Sequence, residues 1–347
     1  MLSRALRIAG LVVVLAAALA GCGDDPPSSA SSTSGSGPEK RSVTIAITAP
    51  GSTGNVPLYI AQQKGWFEDE GLDVKLSGLS GGSDAITALV SGSADASTNI
   101  YNHTLTTAQQ GRSVESVLVF TRAPGAAVFV GKRHPEVRSI EDMADLKIGV
   151  VSLGGATDLM IRYLFKQAGL DPSKAKLVTV GAGSQAVNAL EQGQVDALVA
   201  VEPTLTRLAE RGAGRVVTDL RDPAESERLY GGPTPSWSLL VTSEFAEENP
   251  KTTQALVRAA LKGLRYTLDH TPEEIAASLP ADIFYPGDTK PTFLKVLASN
   301  KDLLSKDGLM PPEGPETSVK QLDASSAGKL GDVDLSQTYD NRFVQGA

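Results

Sequence analysis

Four glycine-containing loops, each placed between a predicted strand and a predicted helix, are the segments of this chain best suited to bind a ligand. They span residues 51–55, 80–83, 154–157 and 181–184. Glycine lets the backbone approach a ligand closely, and the first amides of a helix are unpaired and carry a partial positive charge. Serine and threonine hydroxyls add donors that can rotate. The pattern predicts a site that holds a polar or anionic ligand through neutral donors.

One cation and three other side chains near these loops could make further contacts. Arg122 follows an apolar run, where its guanidinium could pair with an anionic ligand. Tyr101 and Glu202 occupy equivalent positions just after two predicted strands, and Trp237 could stack on a flat ring. A sulfonate or another organic anion suits the neutral donors and Arg122, whereas a planar heterocycle suits the two rings. We favour the anion and keep the heterocycle as the alternative.

Two motifs in the chain are typical of enzymes. Residues 181–186 fit a dinucleotide-binding loop, with Glu202 after the next strand, but the internal repeat described below accounts for these glycines. Residues 78–82 fit a nucleophile elbow around Ser80, so a secreted serine hydrolase is a further alternative. The three histidines are poorly placed to act as its base. Because no acidic or histidine cluster has metal-ligand spacing, we expect no metal, no cofactor and no catalysis.

An internal repeat relates two stretches of the chain. Residues 81–96 align with residues 182–197 at an offset of 101 positions, with Gly, Ser, Ala, Ala-Leu, Gly and Asp-Ala coinciding. Each copy follows an apolar run and opens a short amphipathic helix. Ligands of open parallel sheets bind beyond the carboxyl ends of the strands, which is where these loops fall. The repeat therefore predicts two similar lobes that face one cleft.

The order of the elements predicts an α/β fold with two lobes, each a mainly parallel sheet flanked by helices. Extended segments at 127–130 and 237–241 are expected to cross between the lobes, near residues 123–132 and 231–242. The expected boundaries are 42–125 with 238–347 for lobe 1, and 126–237 for lobe 2.

Two helix starts in the C-terminal part are also predicted. Asn249 before Pro250 is expected to cap a helix with its side chain, because asparagine suits the cap and proline suits the first turn. Thr271 and Glu274 have the spacing of a capping box. Both starts are structural features and carry no chemistry.

The first residues have the form of a lipoprotein leader. Arg4 and Arg7 precede an apolar run that is too short to span a bilayer. We expect residues 1–21 to be a signal peptide and Cys22, the only cysteine, to carry a lipid that anchors the protein outside the membrane. Residues 22–41 are rich in Ser, Gly and Pro and are expected to form a flexible tether. The net charge of −8 argues against nucleic-acid binding.

Several stretches of the sequence resemble the substrate-binding lipoproteins of ABC transporters, in the nitrate, taurine, alkanesulfonate and thiamine-pyrimidine group. They include PLYIAQQKGWFEDEGLDVKL, GSDAITALVSGSADAS, IGVVSLGGATDLMIRYLFKQAGLDPSKAKLVTV, ALEQGQVDALVAVEP, EFAEENPKTTQALV and DLSQTYDNRFV. The resemblance covers essentially everything after the tether. It implies a type II periplasmic-binding fold that closes on a small solute, such as a sulfonate, taurine or nitrate. The closed form would pass the solute to a permease driven by an ATPase, with the receptor a monomer, although a sensor lobe would look the same.

The resemblance also implies which residues contact the solute. The family's ligand loops correspond to Ser52, Thr53, Asn55, Ser80, Ser83, Gly155, Thr157 and Glu202. The complete predicted set adds Asn99, Tyr101, Arg122, Ser184 and Trp237. The chain departs from many relatives at Val201, where they carry Trp, and at Ala156, where they carry Ser. A related branch synthesises the thiamine pyrimidine with a histidine and a cysteine-rich cluster, and this chain has one cysteine only.

Overall fold

Two five-stranded sheets form the framework of the protein. The structure, a computed structural model, describes residues 37–79, 81–287, 289–325 and 330–347. Within these residues the strands are β1 Ser42–Thr48, β2 Asp73–Leu79, β3 Ala96–Ile100, β4 Val114–Val119, β5 Ala126–Gly131, β6 Lys147–Val150, β7 Lys176–Thr179, β8 Ala197–Val201, β9 Gly214–Asp219 and β10 Trp237–Thr242. The α-helices are α1 Val56–Gln63, α2 Trp66–Asp69, α3 Gly82–Val90, α4 Asn102–Gln109, α5 Ala156–Gln167, α6 Ser184–Glu191, α7 Thr204–Glu210, α8 Pro223–Tyr230, α9 Ser243–Glu248, α10 Pro250–Asp269, α11 Pro272–Ala277, α12 Ala281–Phe284, α13 Lys290–Asn300, α14 Gly314–Ser325 and α15 Arg342–Gln345. Short 3-10 helices cover Thr53–Asn55, Glu141–Met143, Pro172–Lys174, Lys301–Leu303 and Leu335–Gln337.

The two sheets have the same pattern of parallel and antiparallel neighbours, although the antiparallel strand comes last in the chain in the first sheet and first in the second. The first sheet has the order β2-β1-β3-β10-β4, and the second has the order β7-β6-β8-β5-β9. β1 pairs in parallel with β2 and β3, as β6 does with β7 and β8. β10 and β5 are antiparallel to both of their neighbours. The prediction of mainly parallel sheets is therefore confirmed, with one antiparallel strand added to each.

The internal repeat forms the same structural unit in both sheets. Its first copy is α3 followed by β3, and its second copy is α6 followed by β8. The repeated aspartates also make the same hydrogen bond: the Thr44 amide donates to Asp95 Oδ2 and the Lys147 amide donates to Asp196 Oδ2, each at 2.9 Å. Each aspartate thus ties the turn after its helix to the start of the neighbouring strand. This part of the repeat is a scaffold and carries no chemistry.

The longest helix, α10, shows how apolar spacing builds the core of the first sheet. Its 20 residues place Leu256, Ala260 and Leu264 on one face, and all three are fully buried. Burial of a leucine side chain contributes about 1.5–3 kcal/mol to folding. The face packs on α1, so that α10 covers the first sheet. The opposite face is polar, and no helix of the described residues is long and apolar enough to cross a membrane.

The two predicted helix starts have different outcomes. The capping box at Thr271 and Glu274 is confirmed, because the Glu274 amide donates to Thr271 Oγ1 and the Thr271 amide donates to Glu274 Oε2. The predicted side-chain cap at Asn249 is wrong. Its amide group donates instead to the Phe245 carbonyl of α9, which also accepts from the Asn249 backbone amide, although α10 does begin at Pro250. The Asn249 side chain thus turns back to the preceding helix and does not cap α10.

The chain passes between the sheets twice, through residues 120–125 and 231–236. Strands β5 and β10, which follow these passages, confirm the extended segments predicted at 127–130 and 237–241. Helices also bridge the sheets. α14 packs mainly on α5 and also on α8, both beside the second sheet, and it packs on α4 beside the first sheet. In addition, α13, which belongs to the core of the first sheet, contacts α7, which belongs to a core of the second. These bridges enclose the space between the sheets.

Candidate functional site

A cavity of about 90 Å³ lies between the two sheets, where α5 and α14 face the second passage of the chain. A single water needs about 10–15 Å³ of such space, so the cavity has room for about six waters or a small ring compound. None of the residues lining it carries a charge. They are Ile100, Asn102, Pro124, Ala126, Ala156, Thr157, Leu159, Met160, Tyr163, Val201, Tyr230, Thr234, Pro235, Ser236, Gln321 and Leu322.

The aromatic wall of the cavity consists of two tyrosines. The rings of Tyr163 on α5 and Tyr230 at the end of α8 have centroids 4.7 Å apart and are inclined by 38°. Leu159 and Met160 lie one turn before Tyr163, so one face of α5 lines the cavity. Burial raises the pKa of both phenols above its usual value, so both are neutral at physiological pH. The aromatic part of the lining is therefore uncharged.

The loop before α5 is held by a charged residue that the sequence analysis did not single out. The Gly154 amide and the Arg162 guanidinium both donate to the buried carboxylate of Asp158, each at 2.6 Å. Thr157, a predicted contact, lines the cavity, but its hydroxyl accepts a hydrogen bond from the Val151 amide at 2.9 Å. Gly155 lies just before α5, next to the lining residue Ala156. Some of the hydrogen-bonding groups of this loop are therefore already paired with other groups of the protein.

The predicted residues at the end of β1 come together with Trp237 in a hydrogen-bonded network outside the cavity lining. Trp237 Nε1 donates to Asn55 Oδ1 at 3.0 Å, and Asn55 Nδ2 donates to the Thr48 carbonyl at 2.8 Å. Thr53 Oγ1 accepts from Asn300 Nδ2 at 2.9 Å, and Ser52 Oγ accepts from the Gly54 amide. These side chains fix the loop and the start of β10, both of which adjoin the second passage.

The first repeat loop and the strand β3 that follows its helix contain three further predicted contacts. Ser80 lies outside the described residues. Ser83 is exposed on the first turn of α3. Asn99 is buried, and its side chain donates to the Gly82 carbonyl at 2.8 Å and accepts from the Ile100 amide at 2.9 Å. Burial lowers the pKa of the nearby His103, which favours the neutral imidazole. Two residues of this region, Ile100 and Asn102, line the cavity.

Tyr101 and Glu202 are equivalent in the repeat, and neither of them lines the cavity. Tyr101 is fully buried and its hydroxyl bonds to Thr338; burial raises its pKa to about 12. Glu202 Oε1 pairs with Arg221 Nη1 at 2.7 Å. The residue before each of them, Ile100 or Val201, lines the cavity instead. Ile100 and Val201 are the last residues of β3 and β8, so the cavity is lined by the strand ends themselves at both equivalent positions.

The remaining charged and polar candidates also lie elsewhere. Arg122 donates to the Asp302 carbonyl at 3.3 Å and lines a separate groove that also contains Arg221 and Asp219. Ser184 is exposed, and its hydroxyl accepts from Arg207 at 3.3 Å. Among the described residues no three His, Cys, Asp or Glu side chains cluster closely enough to hold a metal ion. Cys22, the predicted lipid site, lies outside the described residues.

The residues that the sequence analysis missed come mainly from two helices. The amphipathic pattern of α5 could have indicated Leu159, Met160 and Tyr163 as one buried face, but such a face is usually core. Tyr230 directly precedes the second passage, and the position of that passage was predicted. The residues beside the passage were therefore a signal that could have indicated Tyr230. Gln321 belongs to α14, which returns to the cavity from far along the chain. No local pattern indicates where α14 packs.

Comparison with known proteins identifies the family of the chain. The family model described as "NMT1/THI5 like" matches residues 52–275. The chain belongs to the NMT1/THI5-like family. A solved structure from Bordetella bronchiseptica RB50 shares 31% sequence identity with this member of the family and has a TM-score of 0.78, over 89% of this chain and 97% of that one.

Two further similar proteins have names that state a function. A 4-amino-5-hydroxymethyl-2-methylpyrimidine phosphate synthase of Saccharomyces cerevisiae is 26% identical over 219 residues, which is 62% of this chain. The chain spans 63% of the length of that synthase, less than two thirds. The periplasmic aliphatic sulphonate binding protein SsuA from Escherichia coli is 16% identical with a TM-score of 0.66, over 86% of this chain and 91% of that one. This NMT1/THI5-like protein therefore has the fold of periplasmic solute-binding proteins.

Proposed function

We propose that this protein is the solute-binding receptor of an ABC importer and that its solute occupies the cavity between the two sheets. The fold supports a binding role, because two similar sheets joined by two passages can open and close around a solute. We further propose that residues 42–125 with 238–347 and residues 126–237 form the two lobes. A lipid on Cys22 would hold the receptor at the outer face of the membrane, where it delivers the solute to a permease. In this role the protein binds and does not catalyse.

The chemistry of the cavity lining carries the proposal for the ligand class. Two tyrosine rings, several aliphatic side chains and a few neutral polar groups surround the space, without a charged residue among the described lining. A small anion would lose its hydration there without gaining a cation, and Arg122 lies outside the lining. A flat, uncharged heterocycle would stack on Tyr163 or Tyr230 and use the neutral groups for hydrogen bonds. An aminopyrimidine, the ring named for the yeast relative, fits this description.

An organic anion remains the second candidate because of one observation. Ala156 and Thr157, which begin α5, line the cavity, and the start of a helix attracts negative charge. The Thr157 hydroxyl already accepts a hydrogen bond from Val151, but the helix dipole is still present. A direct comparison of ligands therefore has to decide between the two classes.

Isothermal titration of the protein with 4-amino-5-hydroxymethyl-2-methylpyrimidine, taurine and nitrate tests the proposal. We expect the pyrimidine to bind and the two others to bind at least about tenfold more weakly. Tyr163→Ala should weaken pyrimidine binding about tenfold, since stacking of a base on an aromatic ring is worth about 1–3 kcal/mol. Leu153→Ala is the matched control, because Leu153 is 57% exposed beside α5 and does not line the cavity.

The possible outcomes separate the parts of the proposal. Binding of taurine or nitrate without the pyrimidine would leave the receptor role intact and overturn the heterocycle. Equal losses of pyrimidine affinity in the Tyr163 and Leu153 variants would mean that the binding site lies elsewhere. No binding of any of the three compounds, followed by no small molecule in mass spectra of the purified protein, would contradict the receptor role itself. Circular dichroism of each variant confirms that it has folded.

A further inference from the structure

Tyr230, the last residue of α8, is held in place by the contacts of its neighbours. Gly231 ends the helix in the left-handed region, with a φ of 74°, and its amide donates to the Glu227 carbonyl at 2.8 Å. The hydroxyl oxygens of Ser226 and Thr234 are 2.8 Å apart, and this hydrogen bond ties the second passage to the helix. These contacts fix the position of Tyr230 without its own hydroxyl.

The hydroxyl of Tyr230 has no hydrogen bond to any group in the described part of the chain. Its side chain is 3% exposed and lines the cavity. By contrast, the hydroxyl of Tyr101 bonds to Thr338, and that of Tyr163 donates to the Leu229 carbonyl at 3.4 Å. Buried tyrosine hydroxyls usually have a partner, because removal from water without one costs free energy. The partner of the Tyr230 hydroxyl is therefore to be sought in the cavity that this side chain lines.

The remaining polar side chains of the lining differ from Tyr230 in their partners or in their exposure. Thr157 and Gln321 already have interaction partners in the protein. Asn102 and Ser236 are partly exposed, so water can form hydrogen bonds with them. Tyr230 is thus the buried polar side chain of the described lining whose hydroxyl is left for a solute.

We infer that the Tyr230 hydroxyl donates a hydrogen bond to an uncharged acceptor of the solute and so determines which rings the protein binds; this inference rests on the function proposed above. Burial raises the pKa of this phenol, so it keeps its proton at physiological pH and can act as a donor. In a flat heterocycle the matching acceptor is a ring nitrogen. The ring of Tyr163 then supplies the aromatic face, while Tyr230 contacts the edge of the solute.

The test compares two ligands that differ only in their ring nitrogens. The first is 4-amino-5-hydroxymethyl-2-methylpyrimidine, and the second is the benzene ring that carries the same substituents. We expect the unaltered protein to prefer the pyrimidine by about tenfold or more, because a site that hydrogen-bonds its ligand rejects an analogue that lacks the bonding atom. Tyr230→Phe removes the hydroxyl alone and should abolish most of this preference by weakening the pyrimidine only. Isothermal titration of both proteins with both rings measures the effect.

Thermal unfolding without a solute separates this role from a structural one. Tyr230→Phe should melt no lower than the unaltered protein, because the removed hydroxyl has no hydrogen bond within the described chain to lose. Tyr285→Phe is the matched control, since the Tyr285 hydroxyl donates to the Ala276 carbonyl at 2.7 Å beside the core of the first sheet. This control should melt at a lower temperature and keep the preference for the pyrimidine.

Each result of these experiments bears on one part of the argument. An unchanged preference in Tyr230→Phe, or equal affinities of the unaltered protein for the two rings, overturns the inference while the receptor role stands. A Tyr230→Phe variant that fails to fold, or that loses as much stability as Tyr285→Phe, would show that the hydroxyl acts within the protein and overturns the inference as well. No binding of either ring to the unaltered protein overturns the proposed heterocyclic ligand itself.

Discussion

Lys295 Nζ lies 2.6 Å from Glu210 Oε1, and this ion pair joins α13 to α7. α13 contributes Phe293 and Leu297 to the core of the first sheet, while α7 contributes Leu205 and Leu208 to a core of the second. The pair therefore connects the two sheets at a surface separate from α14. Under the proposed function the sheets move apart to admit a solute, and this contact would break in that step.

Removal of this ion pair should weaken solute binding slightly. The side chains of Lys295 and Glu210 are 62% and 35% exposed, so the pair is worth about 0.2–1 kcal/mol. We expect Lys295→Ala to raise the dissociation constant about two- to fivefold, and the loss should shrink at high salt because salt screens exposed charges. Titration at low and high ionic strength measures both effects. Lys262→Ala is the control, since Lys262 faces Asp69 on the first-sheet side only; equal effects of the two variants would contradict a role in closure.

A methyl group at position 232 should displace α14. Gly232→Ala would place its Cβ 2.5 Å from Thr317 Oγ1, inside the normal contact distance. Overpacking of this kind costs about 1–3 kcal/mol of the free energy of unfolding. Urea denaturation measures that loss. Relative to the unaltered protein, hydrogen exchange should become faster in α14 than in α10. Gly331→Ala provides the comparison, because nothing lies within 4 Å of its added Cβ. Equal stabilities of the two variants would show that α14 tolerates the displacement.

The stability of the first sheet should depend on pH through Glu115. Burial raises the pKa of this carboxyl, and the charges of Asp340 and Glu247 add to the rise, against the hydrogen bond from Ser243 and the charge of Arg342. The folded state therefore binds the proton more tightly than the unfolded chain, whose glutamate pKa is about 4.3. The stabilisation from Glu115 is complete below that value and is lost as the pH rises through the raised pKa.

Glu115→Gln tests this dependence, because the amide cannot ionise. We expect the variant to melt at a higher temperature than the unaltered protein at pH 7.5, with a difference that disappears near pH 4. Thermal unfolding followed across this pH range provides the measurement. Glu244→Gln controls for the change in net charge, because Glu244 is an exposed acid that lines the same surface groove as Glu115. A constant difference between pH 4 and pH 7.5 would argue against the shifted pKa.

The fold could be predicted from the sequence to a large extent because its signals are local or repeated. The coincidence of Asp95 with Asp196 at an offset of 101 reflects one hydrogen bond made twice, and this repetition is visible in the sequence. The capping box at Thr271 is confined to four residues and was predicted for the same reason. At Asn249 the outcome depended on a competing carbonyl of the preceding helix, and composition does not show which partner prevails.

The candidate site was less accessible to sequence reasoning. Thr157 is the one member of the predicted set that lines the cavity within the described residues. The glycine loops were expected to supply the contacts, whereas the cavity wall comes from the face of α5, from Tyr230 and from Gln321. A tyrosine on an amphipathic helix has the same pattern whether it faces a core or a cavity. The approach of α14 to α5 is a long-range packing event, and no short motif encodes it.

The position of β10 has a consequence for how the chain is assembled. This strand lies between β3 and β4 in the first sheet, yet it is separated from β4 in sequence by the entire second sheet. Because the chain emerges in sequence order, β4 appears before β10, its strand neighbour among the described residues, while β5 to β9 can already pair among themselves. The sheet whose strands appear first is thus completed last, and its edge stays open to other polypeptides until the chain up to residue 242 is available.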